Sequence, residues 1–276
     1  MLEEKLGRNV TLEIVKTTDF GVYLGTKEDK VLLPARQVPE GAGIGDAVDV
    51  FLYRDSKDRI IATTHVPKIR MGEVKALKVK DTGAIGAFLD WGLEKDLFLP
   101  FKQQTARVKP GDECLVGLYT DKSGRLCATM KVYDRLEKNS PYKKDDRVQG
   151  IIYEKSLNFG LFVAVDDRYC ALIPRREASG RYKVGDRISA RVTDVKPDGK
   201  LDLSVREKAF IQMDADAQAV MDKLLENGGE LPFTDKADPE LIRAQFGFGK
   251  NAFKRAVGRL LKEGKIEIRE KSIAIK

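Results

Sequence analysis

Over the first three quarters of the chain, apolar and polar residues alternate in short runs. Val10 to Val15, Val22 to Leu24 and Val48 to Tyr53 read as strands, punctuated by Gly, Asp and Pro turns. The punctuation repeats. A first copy runs Phe20-Gly21-Val22-Tyr23, Leu32-Leu33-Pro34, Gly45-Asp46 and the turn Asp55 to Arg59. A second runs Ile85-Gly86-Ala87-Phe88, Phe98-Leu99-Pro100, Gly111-Asp112 and Asp121 to Arg125. A third runs Phe159-Gly160-Leu161-Phe162, Leu172-Ile173-Pro174, Gly185-Asp186 and Pro197 to Lys200. The proline-to-glycine interval is 11 residues in all three copies, and the glycine-to-proline interval is 13, 14 and 14. Spacing that recurs in this way marks a tandem domain.

Each copy predicts a five-strand small barrel. In the third the strands are expected at Arg147 to Tyr153, Gly160 to Val165, Cys170 to Ile173, Arg187 to Val195 and Lys200 to Ser204. Ile188, Ala190 and Val192 alternate with Arg187, Ser189 and Arg191, which sends one set inward and the other outward. Aromatics at i and i+3 of a regular strand face opposite sides. For Phe159 and Phe162 to share a surface, the chain must therefore bend or bulge at Gly160.

After Arg206 the period changes to that of helices. A helical stretch joining Glu207 to Met213 with Asp214 to Asn227 ends at Gly228-Gly229, and Val220, Leu224 and Leu225 supply part of its apolar stripe. Asp238-Pro239-Glu240 combines a capping carboxylate, proline at the first helical position and an acid in the first turn. A third helix is expected from Lys250 to Lys262. On it Phe253, Ala256, Val257 and Leu260 share one face, and Arg255, Arg259 and Lys262 the other. Lys265 to Arg269 and Ser272 to Lys276 then form a hairpin, completing the order of a winged helix. The predicted fold is mainly β with a C-terminal α/β part. It places barrels at 1–66, 67–133 and 147–212, a linker at 134–146 carrying Ser140-Pro141, and the winged helix at 213–276.

Composition narrows the chemistry. With 42% hydrophobic and 34% charged residues, the chain of 276 residues has apolar material for real cores. No apolar run approaches the ~20 residues that span a bilayer, which points to a cytoplasmic protein with no membrane partner. Cys114, Cys127 and Cys170 are an odd number without C-x-x-C spacing and are expected as buried thiols rather than a disulfide or zinc set. The single histidine, His65, leaves a catalytic triad or an imidazole metal site without residues and sits near the end of a strand or in the 63–67 connection. No cofactor is implied. Net charge is +7 but uneven: Lys plus Arg against Asp plus Glu is 9 to 11 over 1–66, 12 to 8 over 67–133, 17 to 13 over 134–213 and 12 to 11 over 214–276. Anion contacts are therefore expected in the middle of the chain.

The third copy, with Asn158 to Val163 and the ending Lys200-Leu201-Asp202-Leu203-Ser204-Val205-Arg206, resembles the S1-type RNA-binding domain, an oligonucleotide-binding-fold barrel. The resemblance extends over roughly 7–66, 68–132 and 144–206. It implies that Phe159 and Phe162 stack on bases, with Asp202 and Arg206 beside them. In the first copy it points to Phe20 and Tyr23, and in the second to Phe88 alone, because Ile85 replaces the first aromatic. Pro34, Pro100 and Pro174 stand where the family often carries a histidine contact. The full order of domains, together with Phe246-Gly247-Phe248-Gly249-Lys250-Asn251-Ala252-Phe253, resembles the bacterial conserved virulence factor B family, implying an RNA-binding protein that regulates gene expression after transcription.

A single strand offers base faces and a charged backbone, so its groove needs aromatic platforms flanked by cations. Candidates for the latter are Arg168, Arg175, Arg176, Arg181, Arg187 and Arg191. The alternative is a winged-helix DNA-binding regulator touching duplex through Lys250, Lys254, Arg255, Arg259 and Lys262, with the barrels serving a partner. A nuclease would need converging carboxylates, and Asp145-Asp146 and Asp166-Asp167 fall at expected linker or turn positions where neighbouring side chains diverge. A non-enzymatic protein with single-stranded RNA as its partner is the expectation.

Overall fold

The computed structural model describes residues 1–178, 182–206 and 209–276. They fall into two units, Met1–Val205 and Arg206–Lys276. In the first unit, β1 (Asn9–Thr18), β2 (Gly21–Gly25), β3 (Lys30–Pro34), β4 (Ala47–Arg54) and β5 (Ile60–Thr63) close a barrel in the order β1-β2-β3-β5-β4. The second set is β6 (Val74–Thr82), β7 (Gly86–Asp90), β8 (Leu97–Pro100), β9 (Glu113–Thr120) and β10 (Leu126–Thr129), a sheet ordered β10-β9-β6-β7-β8. The third, β11 (Arg147–Ser156), β12 (Gly160–Val165), β13 (Tyr169–Pro174), β14 (Arg187–Val195) and β15 (Leu201–Ser204), closes like the first.

The long first strand of each set bulges at the same point, between Ile14 and Lys16, Val79 and Asp81, and Ile152 and Glu154, and so bends around a small core. Gly160 has φ 126°, and a Cβ there would lie 2.1 Å from the Ile173 carbonyl oxygen. Only glycine lets these two backbones meet. The bend turns Phe159 out of the ladder, leaving it 63% exposed at the mouth of the barrel. Along β14 the alternation holds, with Ile188, Ala190 and Val192 buried and Arg187 and Ser189 exposed.

Alternation fails at Val50–Tyr53, Cys114–Leu118 and Gly150–Tyr153, where every residue is buried. One face of each run fills its own barrel and the other is covered by a neighbour. Phe51 and Tyr53 meet Trp91 edge-on at 5.8 and 6.2 Å, so the first and second barrels share a core. Leu115, Val132, Leu136, Ile151, Tyr153, Ala164 and Cys170 form the equivalent seam between the second and third. The segment 134–146, expected as a linker, contributes Leu136 to that seam. Its Glu137 N–H donates to Arg168 O at 2.9 Å and its carbonyl accepts from Cys170 N–H at 2.8 Å. Both backbone groups of Glu137 are thus paired with the third barrel, and apolar burial of Leu136 replaces the freedom a Ser-Pro stretch suggests.

In the second unit α1 (Ala209–Glu226), β16 (Glu230–Leu231), α2 (Pro239–Phe246), α3 (Lys250–Lys262), β17 (Ile266–Ile268) and β18 (Ile273–Ile275) form the winged-helix order, with a sheet β16-β18-β17. The expected domain boundary after 212 lies inside α1, since Ala209 to Met213 contains no glycine or proline to end a helix. Asp238 Oδ1 accepts from Glu240 N–H at 2.7 Å, and Gly247 closes α2 with φ 74°. Val220 and Leu224 enter the core with Ile242, Phe253, Ala256, Val257 and Leu260. Leu225, expected in the same stripe, is 64% exposed because its 100° step from Leu224 carries it off the buried face.

Candidate nucleic-acid interface

The third barrel carries an open groove built from five segments. Phe159 precedes β12 and Phe162 lies on it, with ring centroids 6.3 Å apart, so the bend at Gly160 does bring them onto one surface. Tyr153, from the bulged end of β11, lies 6.1 Å from Phe162. Tyr133 approaches from a 3-10 turn at Tyr133–Arg135, its ring 6.0 Å from Phe162 and nearly perpendicular to it. These four aromatics, with Cys170, Leu172, Lys196, Lys200, Leu201 and Asp202, line a cavity of ≈ 480 Å³. Tyr133 and Tyr153 were not among the residues singled out from sequence. One follows the second repeat and the other ends an apolar run, so only the neighbouring Phe162 reveals them.

Cations stand at the rim. Lys196 Nζ lies 2.7 Å from Asp202 and 3.1 Å from Asp194, and hydrogen bonds to those two carboxylates raise its pKa. Lys200 Nζ is 5.6 Å from the Tyr133 ring centroid and 2.7 Å from Asp198. Arg175 is exposed, and its backbone N–H donates to Phe159 O at 2.9 Å. Arg176 is exposed on the same turn.

Other expected cations have structural duties. Arg187 makes a two-pronged pair with Glu113, at 2.9 and 3.1 Å, and lies 3.4 Å from Asp167, clasping the third barrel to the second. Arg191, 16% exposed, is held 2.9 Å from Asp145. Arg168 pairs with Glu137 at 2.8 Å and stands over Tyr169. Arg181 lies outside the described residues. Arg206 is exposed as the first residue of the second unit, beyond the barrel's last strand.

The same face of the second barrel is walled on one side by the first barrel, with Ile85 left 67% exposed. Ile85, Phe88, Phe98, Asp121, Arg125 and Cys127 line a cavity whose opposite wall is Tyr53 and Arg54 at the end of β4 with Ser56 and Asp58 from the turn that follows. Arg54 donates to Gly124 O at 3.0 Å and to Glu3 at 2.5 Å, Arg125 pairs with Asp58 at 3.1 Å, and Lys95 donates to Asp55 O at 2.8 Å. Phe88 has a partner that its own repeat segment does not show, because Phe98, directly opposite on β8, brings its ring to 5.5 Å. On the first barrel, Phe20 is 60% exposed and meets Tyr23 edge-on at 6.5 Å, with Lys30 above Tyr23.

A hairpin position distinguishes the three faces. Asp55, Asp121 and Lys196 occupy equivalent places, each N–H donating to the carbonyl four residues on, of Arg59, Arg125 and Lys200, at 2.9, 2.9 and 2.8 Å. Two barrels thus put an aspartate at this position and the third a lysine, which Asp194 and Asp202 hold in place.

On α3, Lys254, Arg255 and Lys262 are exposed. Lys250 instead donates to Lys236 O at 3.1 Å, and Arg259 is bound to Glu263 at 2.8 Å. The Cys114 thiol is buried and pushed up to about 12, and burial raises Cys127 to about 11, so neither is a nucleophile near neutral pH. Among the described residues no group of three or more His, Cys, Asp or Glu side chains converges as a metal site, and no helix is long and apolar enough to cross a membrane.

Comparison with known proteins agrees with this architecture. Residues 6–65 and 71–131 match the S1 domain, 133–207 the second domain of the virulence regulatory factor CvfB, and 218–275 the CvfB-like winged helix domain. A Bacillus subtilis relative, the uncharacterized protein YitL, is 31% identical, covering 94% of this chain and 90% of its own length. Conserved virulence factor B of Staphylococcus aureus strain USA300 is 28% identical, covering 84% and 80%. The crystal structure of a multidomain protein with nucleic acid binding domains from Streptococcus pneumoniae TIGR4 covers 99% of each chain at 24% identity, with a TM-score of 0.56, and shares the fold.

Proposed function

This chain belongs to the conserved virulence factor B family, and on that premise we propose that it is a non-catalytic regulator that holds single-stranded RNA in the groove of its third barrel. Its S1 domains and winged helix make it a nucleic-acid-binding protein of the regulatory type. The observation that carries the reading is the pairing of Phe159 with Phe162 in an open groove whose rim bears Lys196 where the other barrels have aspartate. Stacking on exposed rings is tolerant of base identity and requires unstacked bases, which single strands offer and duplexes do not. Lys196, Lys200, Arg175 and Arg176 supply the cations along the backbone path. Control of messages after transcription is the role we assign to such binding. The S1 face of the first barrel, with Phe20 and Tyr23, serves as a weaker second platform.

Fluorescence anisotropy with short single-stranded RNA, matched single-stranded DNA and duplex DNA over a salt series tests the proposal. RNA affinity should fall with salt and drop at least about tenfold in a folded Phe159→Ala/Phe162→Ala protein. Preference for duplex DNA that survives this double substitution but is lost on replacing Lys254, Arg255 and Lys262 would assign binding to α3 instead.

A further inference from the structure

Each barrel has a segment of the same length between its third and fourth strands, from Pro34 to Gly45, Pro100 to Gly111 and Pro174 to Gly185. The one in the second barrel differs from the others. It carries Lys102, Arg107 and Lys109 with no acidic residue, whereas Glu40 and Glu177 interrupt its counterparts. In the first barrel Arg36 is also paired with Glu94. Lys102, Arg107 and Lys109 are exposed and make no ion pair with any described residue. Cations gathered without a counter-charge favour an anion beside them.

This segment is pinned in place and spans two barrels. Phe101 N–H donates to Ile85 O at 3.2 Å, the bond that Arg175 makes to Phe159 in the third barrel, so the segment starts at the edge of the second barrel's face. The Gln103 carbonyl accepts from Met130 N–H at 2.8 Å, and its Oε1 accepts from the Thr129 hydroxyl at 2.7 Å. The Thr105 hydroxyl then donates to Tyr153 O at 2.6 Å, on β11, where Tyr153 and Glu154 line the groove of the third barrel. Arg107 turns back over Phe101, its guanidinium carbon 3.8 Å from the ring centroid. One face of the guanidinium covers the ring, and on an exposed side chain the other can receive a second planar group. Covering Phe101 would account for Arg107 alone. It leaves Lys102, Lys109 and the missing carboxylates unexplained.

We propose that the strand held by the third barrel continues onto this segment, where a base stacks on the Arg107 guanidinium and Lys102 and Lys109 neutralise the adjoining phosphates. The proposal rests on the RNA-groove reading and lengthens the site. The strand passes along the edge of the second barrel without entering its Ile85 face. The bond from Thr105 to Tyr153 fixes the two surfaces relative to each other, so one RNA reaching both is held at two linked sites.

The test is anisotropy of the full chain with single-stranded RNAs of about 5 and about 15 nucleotides, which bracket the ~4–16 nucleotides held by one such fold. The unaltered protein is compared with Arg107→Gln, Arg107→Lys and, as a control for bulk charge on the first barrel, Lys27→Gln. Arg107→Gln should lower affinity for the longer RNA roughly three- to tenfold and reduce its salt slope by about 0.7, leaving the short RNA and thermal unfolding unchanged. Arg107→Lys should restore the salt slope but not the affinity, because an ammonium presents no plane for a base to stack on. A loss on the longer RNA no greater than that of Lys27→Gln, or an equal loss on both lengths, overturns the inference and leaves the stacking groove standing. Absence of RNA binding by the unaltered protein overturns both.

Discussion

The second and third barrels come from the same repeat, yet the same face is built differently in each. In the third, Phe159 and Phe162 meet an open cavity with lysines at its edge. In the second, Ile85 replaces the outer aromatic, Asp121 replaces the lysine, and the first barrel supplies one wall with Arg54 and Asp58. A repeat therefore transmits a scaffold, and a handful of side chains decides what its groove faces. Exchange of charge is central to that choice. Asp121 and Asp58 together would repel a phosphate backbone, but they suit Arg125, which pairs with Asp58 at 3.1 Å.

The comparison can be broken at several points. Phe159→Ala should weaken RNA binding by about 1–3 kcal/mol, roughly 5- to 150-fold, and Ile85→Ala, at the equivalent place, by less than about twofold. Equal losses in a salt-matched titration would show that the second groove also binds. Arg54→Ala removes a guanidinium that is 16% exposed and bonded to Gly124 O, Asp58 O and Glu3. It should lower unfolding stability by about 1.5–3 kcal/mol in denaturant titration, with RNA affinity unchanged, because its task is docking the first barrel. Lys196→Gln should cost roughly three- to tenfold in RNA affinity and reduce the salt slope by about one phosphate contact. Its counterpart, Asp121→Asn, should change neither.

Smaller effects sharpen the division between binding and structural cations. Arg187→Ala breaks the pair with Glu113, whose two side chains are 52% and 38% exposed, so stability should fall by less than about 1 kcal/mol and RNA affinity by less than about threefold. A tenfold loss of affinity would return Arg187 to the groove. Asp121 offers a pH measurement. Desolvation raises its carboxyl, but hydrogen bonds from the Ser123 hydroxyl and the Arg125 and Ser123 amides outweigh it, and the folded pKa is depressed. A depressed carboxylate contributes stability that is present above its unfolded value of ~3.9 and is lost as pH falls through the folded value. Asp121→Asn should therefore flatten the acid limb of a stability-versus-pH curve, leaving the neutral plateau slightly lower.

Much of this was legible in the residues. The recurring Pro-to-Gly spacing located all three barrels, and α3 occupies the expected Lys250 to Lys262. The pairing of Phe159 with Phe162 was foreseeable because Gly160 permits a bend that a strand of other residues would resist. The fate of the arginines was not. Arg187, Arg191 and Arg175 look alike in the sequence, but Glu113 and Asp145 supply the carboxylates that claim the first two. Tyr133 was hidden for a similar reason, lying outside every repeat and reaching Phe162 through the packing of Leu136.

The sequence by itself determined the three tandem five-strand repeats, the winged helix that follows and the aromatic pair, because periodicity, glycine conformations and turn residues act locally and each copy states them again. Only the tertiary structure decided which groove is walled by a neighbouring barrel and which cations are claimed by ion pairs. Those outcomes depend on what lies across each surface, and for Arg187 and Glu113 the partner is 74 residues away along the chain. Burial and ion pairing between barrels are set by such distant contacts, which no local pattern encodes.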